Sequence, residues 1–316
     1  MMHRPSIVRR IATVPYAKIV FRWLAGTVEP RKRTPIFSFL SSTGDGEISS
    51  ENGKIGRYDV TDSCPAPEFD TGCTHCEPQY PVGSEVKTGA VLAGTAPSVG
   101  RHLLVSTGHT NWPKRPEQDP VSLEAKVRDL QVTRGLRRDS DFNFMITSTD
   151  MNTPSDKSSW SIYMYPDNLY FPRVPFDEAE SFVKRYLIPS QAKEVEDLDE
   201  RIDAVKPQNP IIAICGHTAR DVRCGITAPL LKAEFERVLD TKGLMYDETT
   251  GEGTKVSIVS HVGGHVYAGN LIYFDKWGNS IWYGLVRPEH VQGIVKETVE
   301  GGRIIRALFR GGSVVR

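Results

Sequence analysis

The sequence predicts a two-domain α/β protein, and three observations carry that prediction. The chain has 316 residues, more than one core ordinarily organises at about 100 to 200 residues per domain. From about residue 58 onward, short apolar runs alternate with stretches whose apolar residues recur at helical spacing. After residue 207 the order sharpens into strand, helix, strand, hairpin and helix.

The first 33 residues belong to neither domain. They hold eight Lys or Arg (Arg4, Arg9, Arg10, Lys18, Arg22, Arg31, Lys32, Arg33) and a single acid, Glu29. On a helical wheel Ile7, Ile11 and Val14 fall opposite Arg9, Arg10 and Thr13, so the leader is basic and amphipathic. That composition, at the N-terminus and poor in acids, is what a mitochondrial transit peptide requires, so residues 1–40 are assigned to that address segment and linker. A basic arm or a membrane-surface helix is the alternative. Residues 38 to 57, rich in Ser and Gly, read as the linker that follows.

Residues 58–205 read as a mixed α/β domain with strand candidates at His102 to Ser106, Phe142 to Thr147 and Ser161 to Tyr165. Helices are expected at Ser122 to Leu136 and Asp177 to Leu187, the second from Phe182, Val183, Tyr186 and Leu187 on one face. The acidic stretch Glu194 to Asp203 reads as a solvated helix or linker.

Residues 207–316 form the second domain. Pro210 to Cys215 is an apolar strand, and a Gly-containing loop then runs to Thr227, which is expected to cap a helix with Leu230, Leu231, Phe235, Val238 and Leu239 inward. Lys255 to Ser260 gives another strand, and Asn270 to Phe274 pairs with Ile281 to Val286 across the Gly278-Asn279 turn. Pro288 opens a last helix carrying Val291, Ile294, Val295 and Val299, stopped by Gly301-Gly302. This order is thioredoxin-like.

Two segments of that domain carry the chemistry: Cys215-Gly-His-Thr-Ala-Arg-Asp-Val-Arg-Cys224 and Ser260-His261-Val-Gly-Gly-His265. Two thiols and two imidazoles stand just beyond strand ends, and Gly263-Gly264 lets the second loop wrap closely. The gap between the cysteines is wide for a zinc knuckle, whose ligands usually stand two to four residues apart, so a larger inorganic core fits it better. Iron-sulfur and zinc both remain open on spacing alone. Two imidazoles in place of two thiolates raise the potential of a 2Fe-2S centre and couple its electron to a proton. Arg220, Arg223 and His217 are candidate hydrogen-bond donors around such a group.

At these residues the chain resembles a known family. CGHTARDVRCGITAP followed by SHVGGHVYAGNLI is similar to the sucrase/ferredoxin-like family of thioredoxin-like ferredoxins, whose ligation is bis-histidinyl. The resemblance covers roughly residues 60 to 316. It implies a 2Fe-2S cluster with Cys215 and Cys224 on one iron and His261 and His265 on the other. The closing run Trp282 to Val295 is similar to ordinary thioredoxin-like ferredoxins, which use four cysteines. The basic leader favours the mitochondrial branch of the family, in matrix or intermembrane space.

Upstream, Cys64 and the Cys73-Thr-His-Cys76 motif resemble the family's N-terminal cysteine cluster, and Cys73 and Cys76 are possible redox thiols. The sequence therefore reads as an electron carrier rather than a substrate-transforming enzyme, working with a redox partner protein and imported through its leader. A thiol-disulfide oxidoreductase using Cys73 and Cys76, or a zinc-stabilised interaction protein, is the alternative. Five cysteines, an odd number, argue against a secreted disulfide scaffold.

Other functions find little support. The formal net charge is zero, with 39 basic and 39 acidic side chains, which gives no global reason to bind nucleic acid. No apolar run approaches the roughly 18 residues of a membrane span. No Walker loop, dinucleotide fingerprint or HExxH motif appears in the sequence. His102, His109 and Trp112 around one strand end, and Trp277 and Trp282 at the hairpin, read first as structural side chains.

Overall fold

A computed structural model describes residues 54–135, 143–188, 190, 202–207 and 209–314. The leader, nearly all of the Ser- and Gly-rich linker, and most of the acidic segment after Glu194 lie outside these described residues. All described residues belong to the unit Lys32–Arg316.

In chain order the strands and helices are β1 (Lys54–Ile55), β2 (Tyr58–Thr61), β3 (Arg101–Ser106), α1 (Leu123–Thr133), β4 (Phe144–Thr149), β5 (Ser159–Tyr165), β6 (Leu169–Pro175) and α2 (Ala179–Leu187). There follow β7 (Ile211–Cys215), α3 (Val222–Thr241), β8 (Lys255–Val259), β9 (Leu271–Phe274), β10 (Ser280–Tyr283), α4 (Val291–Ile294), β11 (Arg303–Ile305) and β12 (Phe309–Ser313). Each expected strand and helix is present, with boundaries moved by a few residues. β1, β2, β6, β11 and β12 were not expected: Pro172 and Pro175 interrupt β6, and Gly311-Gly312 interrupt β12.

Nine strands form one sheet in the order β12-β10-β9-β7-β8-β4-β3-β5-β6, and β1-β2-β11 form a small second sheet. Within the large sheet two halves repeat one plan. In the second half β7 runs parallel to β8 and antiparallel to β9, which pairs with β10. In the first half β3 runs parallel to β4 and antiparallel to β5, which pairs with β6. Both halves are therefore a strand, helix, strand, hairpin and helix with thioredoxin-like neighbour order, so the first half has the plan expected only of the second.

The halves meet where β4 and β8 pair antiparallel at their last residues, Thr149 opposite Val259. Ser260 N–H donates to Ser148 O (2.8 Å) and Asp150 N–H to Ile258 O (3.1 Å), extending that contact. The sheet folds over at this junction, so its helix-free faces pack on each other. Tyr165 stacks on Phe274 with ring centroids 4.0 Å apart, and His102 lies against Trp282 at 5.9 Å.

Alternation along the strands explains the layers. Leu103, Val105, Ile162 and Met164 face α1 and α2, packing on Leu123, Val127, Phe182, Val183 and Leu187. Ile212, Ile214, Ile258 and Leu271 face α3 and α4, against Leu231, Phe235, Val238, Val291 and Ile294. The residues between them, among them Leu104, Tyr165, Ala213, Ile272 and Trp282, form the shared middle layer, and Cys215 and Cys224 lie in it.

Two helix ends differ from expectation. α3 begins at Val222, capped by Asp221, whose carboxylate accepts from Arg223 N–H; Thr227 is not the cap but lies inside the helix, its hydroxyl donating to Arg223 O at 2.9 Å. Pro229 is thus an interior proline rather than a first-turn one. The last helix starts as a 3-10 turn at Pro288–His290 and widens into a π-helical turn over Val295–Glu300.

Candidate functional site

The pairing register that ends β7 and β8 sets the site. Cys215 is the last residue of β7, opposite Val259 of β8, and Cys224 occupies the first turn of α3. Both are buried, each 1% exposed. The turn between them is compact because Arg220 and Asp221 N–H both donate to His217 O at 3.0 Å. A side chain at Gly216 would collide with Ile258, so only glycine lets the strand end approach β8 this closely.

The two thiols lie close enough that each is the largest influence on the other. Cys215 is held well below the ordinary thiol range by Cys224, with further help from His261 and Val262 N–H against the cost of burial. Cys224 is correspondingly pushed up by Cys215 and by burial.

His261 follows Ser260 at the end of β8, and its ring reaches Cys215. Its backbone N–H donates to His217 Nδ1 at 3.3 Å, and its own Nδ1 is buried with no hydrogen-bond partner. A buried imidazole nitrogen without a partner is costly unless something else fills its lone pair. His265 opens a short turn, His265–Tyr267, after Gly264 at φ 72°. Its ring centroid lies 5.9 Å from that of His261, its Nε2 stands 3.9 Å from Asp221 Oδ2, and its side chain is 44% exposed.

The loop after β3 and the segment before it wall the site. His217, 1% exposed, has Nε2 2.9 Å from Pro113 O, while its ring meets Trp112 edge-on at 5.9 Å. Tyr80 OH lies 2.7 Å from Thr227 Oγ1, one turn beyond Cys224, and Lys87 N–H donates to Val266 O at 2.8 Å. Of the expected surrounding donors, His217 lies beside the site but has Nδ1 accepting from His261 N–H and Nε2 on Pro113 O. Arg223 instead grips Asp221 (Nη2 to Oδ2, 2.9 Å) and Glu85 O, and Arg220 is exposed. Arg223 holds the Asp221 carboxyl below the usual carboxylate range.

All four expected ligands therefore gather at one place, as two adjacent pairs. Among the described residues no group of three or more His, Cys, Asp or Glu converges as one ion-binding cluster. A dinuclear group asks for two pairs rather than one convergent set, and two buried free thiols beside an imidazole with an open buried nitrogen fit its donor requirements.

Cys73 and Cys76 are joined in a disulfide. Their loop sits on α3: Thr71 and Thr74 hydroxyls both donate to the fully buried carboxylate of Glu234. Cys64 is separate, its thiol donating to His290 O at 3.4 Å and pushed up to about 12 by burial and by Glu297 and Glu289. His102 and Trp282 are core side chains, 4% and 2% exposed, whereas Trp277 is half exposed under the Arg57 guanidinium at 3.9 Å. Sequence reasoning missed Arg310 on β12, which is fully buried beneath the histidine loop. Nothing in its neighbours, Phe309 and Gly311, signals that place.

Among the described residues no helix is long and apolar enough to cross a membrane. No solved structure matches the chain. It is 35% identical over 272 residues to altered inheritance of mitochondria protein 32 of Meyerozyma guilliermondii, covering 79% of this chain and 94% of that protein. The protein of the same name from Clavispora lusitaniae is 36% identical over 269 residues, with the same coverage. Actin patches distal protein 1 of Saccharomyces cerevisiae is 43% identical over 99 residues, 30% of this chain and 31% of that protein. The sucrase/ferredoxin-like family model matches residues 92–311, which contain both halves of the sheet and all four candidate ligands, and the chain belongs to that family.

Proposed function

We propose that this protein is a mitochondrial one-electron carrier that holds a 2Fe-2S group between Cys215 and Cys224 on one side and His261 and His265 on the other. The observation that carries the reading is the pairing itself: two buried, free thiols next to two imidazoles of which one has a buried, unpartnered nitrogen. The family's ferredoxin-like description and the names of the relatives support a redox role connected with mitochondria. The basic leader supports import.

When bound, the group supplies reversible one-electron chemistry at a potential raised by its imidazole ligands. The chain supplies the rest. Cys215 and Cys224 would offer the sulfur ligands, and Asp221 and Arg223 fix the first turn of α3 that carries Cys224. Ser260 and His217 anchor the backbone at His261. His265, partly exposed beside Asp221, can pass a proton to solvent when charge changes inside. The Trp112 and Tyr80 segments shut out water on the remaining sides.

The test is elemental analysis and electron paramagnetic resonance of anaerobically purified protein. Iron and sulfide near two each per chain, with a rhombic signal on reduction, support the proposal. Stoichiometric zinc without iron overturns it in favour of a zinc-stabilised interaction protein.

The Cys73–Cys76 disulfide favours a second reading, thiol-disulfide exchange at the loop seated on Glu234. Loss of exchange with a dithiol substrate in Cys73→Ser, the visible spectrum unchanged, supports it. Exchange at the wild-type rate in that variant removes it.

A further inference from the structure

Among the described residues no carboxylate pairs with Arg310, a fully buried cation. The residue is fully buried on β12, and every acceptor it meets is uncharged. Its Nε donates to Thr95 Oγ1 (3.0 Å), Nη2 to Thr95 O (2.7 Å), and Nη1 to Asn270 Oδ1 (2.7 Å) and more weakly to Gly263 O (3.4 Å). The ring of Tyr267 lies 5.4 Å from its guanidinium carbon. Burial pulls its pKa down to about 10, and the groups that oppose this are Cys215, Tyr267 and Cys224, with no carboxylate among them.

Removing a guanidinium from water costs several kcal/mol unless an opposite charge compensates it. Hydrogen bonds to neutral acceptors satisfy its donors but leave its charge unbalanced. The fold nevertheless shapes itself around this side chain. Gly264 has φ 72°, and a Cβ there would strike the guanidinium. Asn270, which accepts from Arg310, also donates through Nδ2 to Gly264 O at 2.8 Å. The positive charge is thus built against the Gly263-Gly264 turn that separates His261 from His265, within electrostatic reach of both thiols.

We propose that Arg310 is the buried counter-charge of the redox group and sets its potential. This rests on the reading of the site as a 2Fe-2S centre. Two thiolates and two neutral imidazoles around an oxidised core of about +2 sum to roughly zero, and one added electron makes the sum about −1. A fixed positive charge in a dry site stabilises the reduced state over the oxidised one, so Arg310 draws the reduction equilibrium toward the reduced form. The cost of burying it is offset only when negative charge stands beside it. Arg310 is a positioning and charge-setting residue, not a ligand.

The experiment is redox titration of purified protein, followed by the visible spectrum and electron paramagnetic resonance, on wild type, Arg310→Gln, Arg310→Lys and Asn270→Asp. The last variant leaves Arg310 in place and neutralises it with a carboxylate at its present acceptor. Arg310→Gln and Asn270→Asp should each shift the reduction equilibrium at least tenfold toward the oxidised form, a drop of about 59 mV for one electron. Arg310→Lys, which keeps the charge, should stay within threefold of wild type.

A loaded Arg310→Gln with an unchanged potential overturns the proposal. If that variant does not load, an unchanged potential in Asn270→Asp overturns it equally. Failure of all three variants to load assigns Arg310 to support of the histidine loop alone and also overturns it. Wild-type protein without iron and sulfide is a separate result, because it removes the reading of the site before Arg310 is tested.

Discussion

The two halves of the large sheet have the same plan and different chemistry, and pairing register shows where they part. Ser106 ends β3 opposite Thr149 as Cys215 ends β7 opposite Val259. Thr107 N–H donates to Thr149 O (2.8 Å) as Gly216 N–H donates to Val259 O (2.9 Å). Ser122 caps α1 and Asp221 caps α3, so Ala125 stands where Cys224 stands, three residues past the cap. Counting on from Thr149 and Val259, Met151 matches His261. The first half keeps the scaffold with none of the ligands, which shows that the fold by itself specifies no redox chemistry. It serves instead as a wall and anchor, through Pro113 on His217, Ser148 on Ser260 and Thr95 on Arg310.

The largest effect expected from this contrast is at the ligands. Cys215→Ala or His261→Ala should remove or alter the visible chromophore, and Ser106→Ala at the matching position should leave iron content and spectrum as in wild type. Loss of iron from Ser106→Ala would show that the first half holds part of the group.

Next are the helix anchors. Phe182 of α2 and Phe235 of α3 are both fully buried, each inside its own half, and truncation of either to Ala should cost about 3–5 kcal/mol. Because the middle layer is common to both halves, each variant should lower a single denaturation transition. Two separate transitions, each moved by one variant only, would split the molecule into independent domains.

A pH effect distinguishes the halves further. His102 is buried on β3 where the matching residue of β7 is Ile211, and burial pulls its pKa to about 3. Its Nε2 stands 2.9 Å from Thr147 Oγ1, whose proton goes to Leu103 O. His102 therefore carries its proton on Nε2 and stays neutral in the folded state. The unfolded histidine, near 6.5, binds a proton that the folded one refuses, so stability is intact above about 6.5 and falls as pH drops toward about 3. Urea denaturation between pH 7 and 4.5 should show up to about 1.4 kcal/mol of loss per pH unit from this residue, absent in His102→Gln. Equal slopes in both proteins would locate the acid sensitivity elsewhere.

The smallest effect concerns the caps. Ser122→Ala should cost about 1 kcal/mol, the loss of the cap bond from Ala125 N–H at 3.0 Å together with the hydroxyl's own bond to Pro116 O at 2.9 Å. Asp221→Ala should cost more, because its carboxylate caps α3 and also holds the charged Arg223 (2.9 Å). Thermal denaturation of the two variants orders them, and equal losses would mean that the Arg223 pair contributes no more than the Ser122 bond to Pro116.

Much of the second half was legible because its signals are local. The apolar run ending in Cys215, the Gly278-Asn279 turn and the Pro288 start each act within a few residues. The four proposed ligands came from the resemblance. The cap of α3 was not legible, since Thr227 was read as the cap while the deciding contact is the Asp221 carboxylate on Arg223 N–H. The repeat of the fold was missed as well. Gly108-His109-Thr110 and Gly216-His217-Thr218, one after each first strand, are its trace, but one residue inserted in the first loop moves His109 to the surface while His217 is buried.

The sequence by itself determined the α/β order of elements and the net +7 of its first 33 residues against a body of net −7, and the resemblance singled out the four side chains proposed to hold a redox group. Tertiary structure decided what surrounds them. The folding over of the sheet at Thr149 and Val259, the approach of Pro113 to His217, and the placing of Arg310 beneath Gly264 join residues up to 215 positions apart. Such contacts follow from strand register and layer packing, which no short stretch of chain encodes. A buried arginine with no carboxylate partner among the described residues becomes visible only when everything around it is in place.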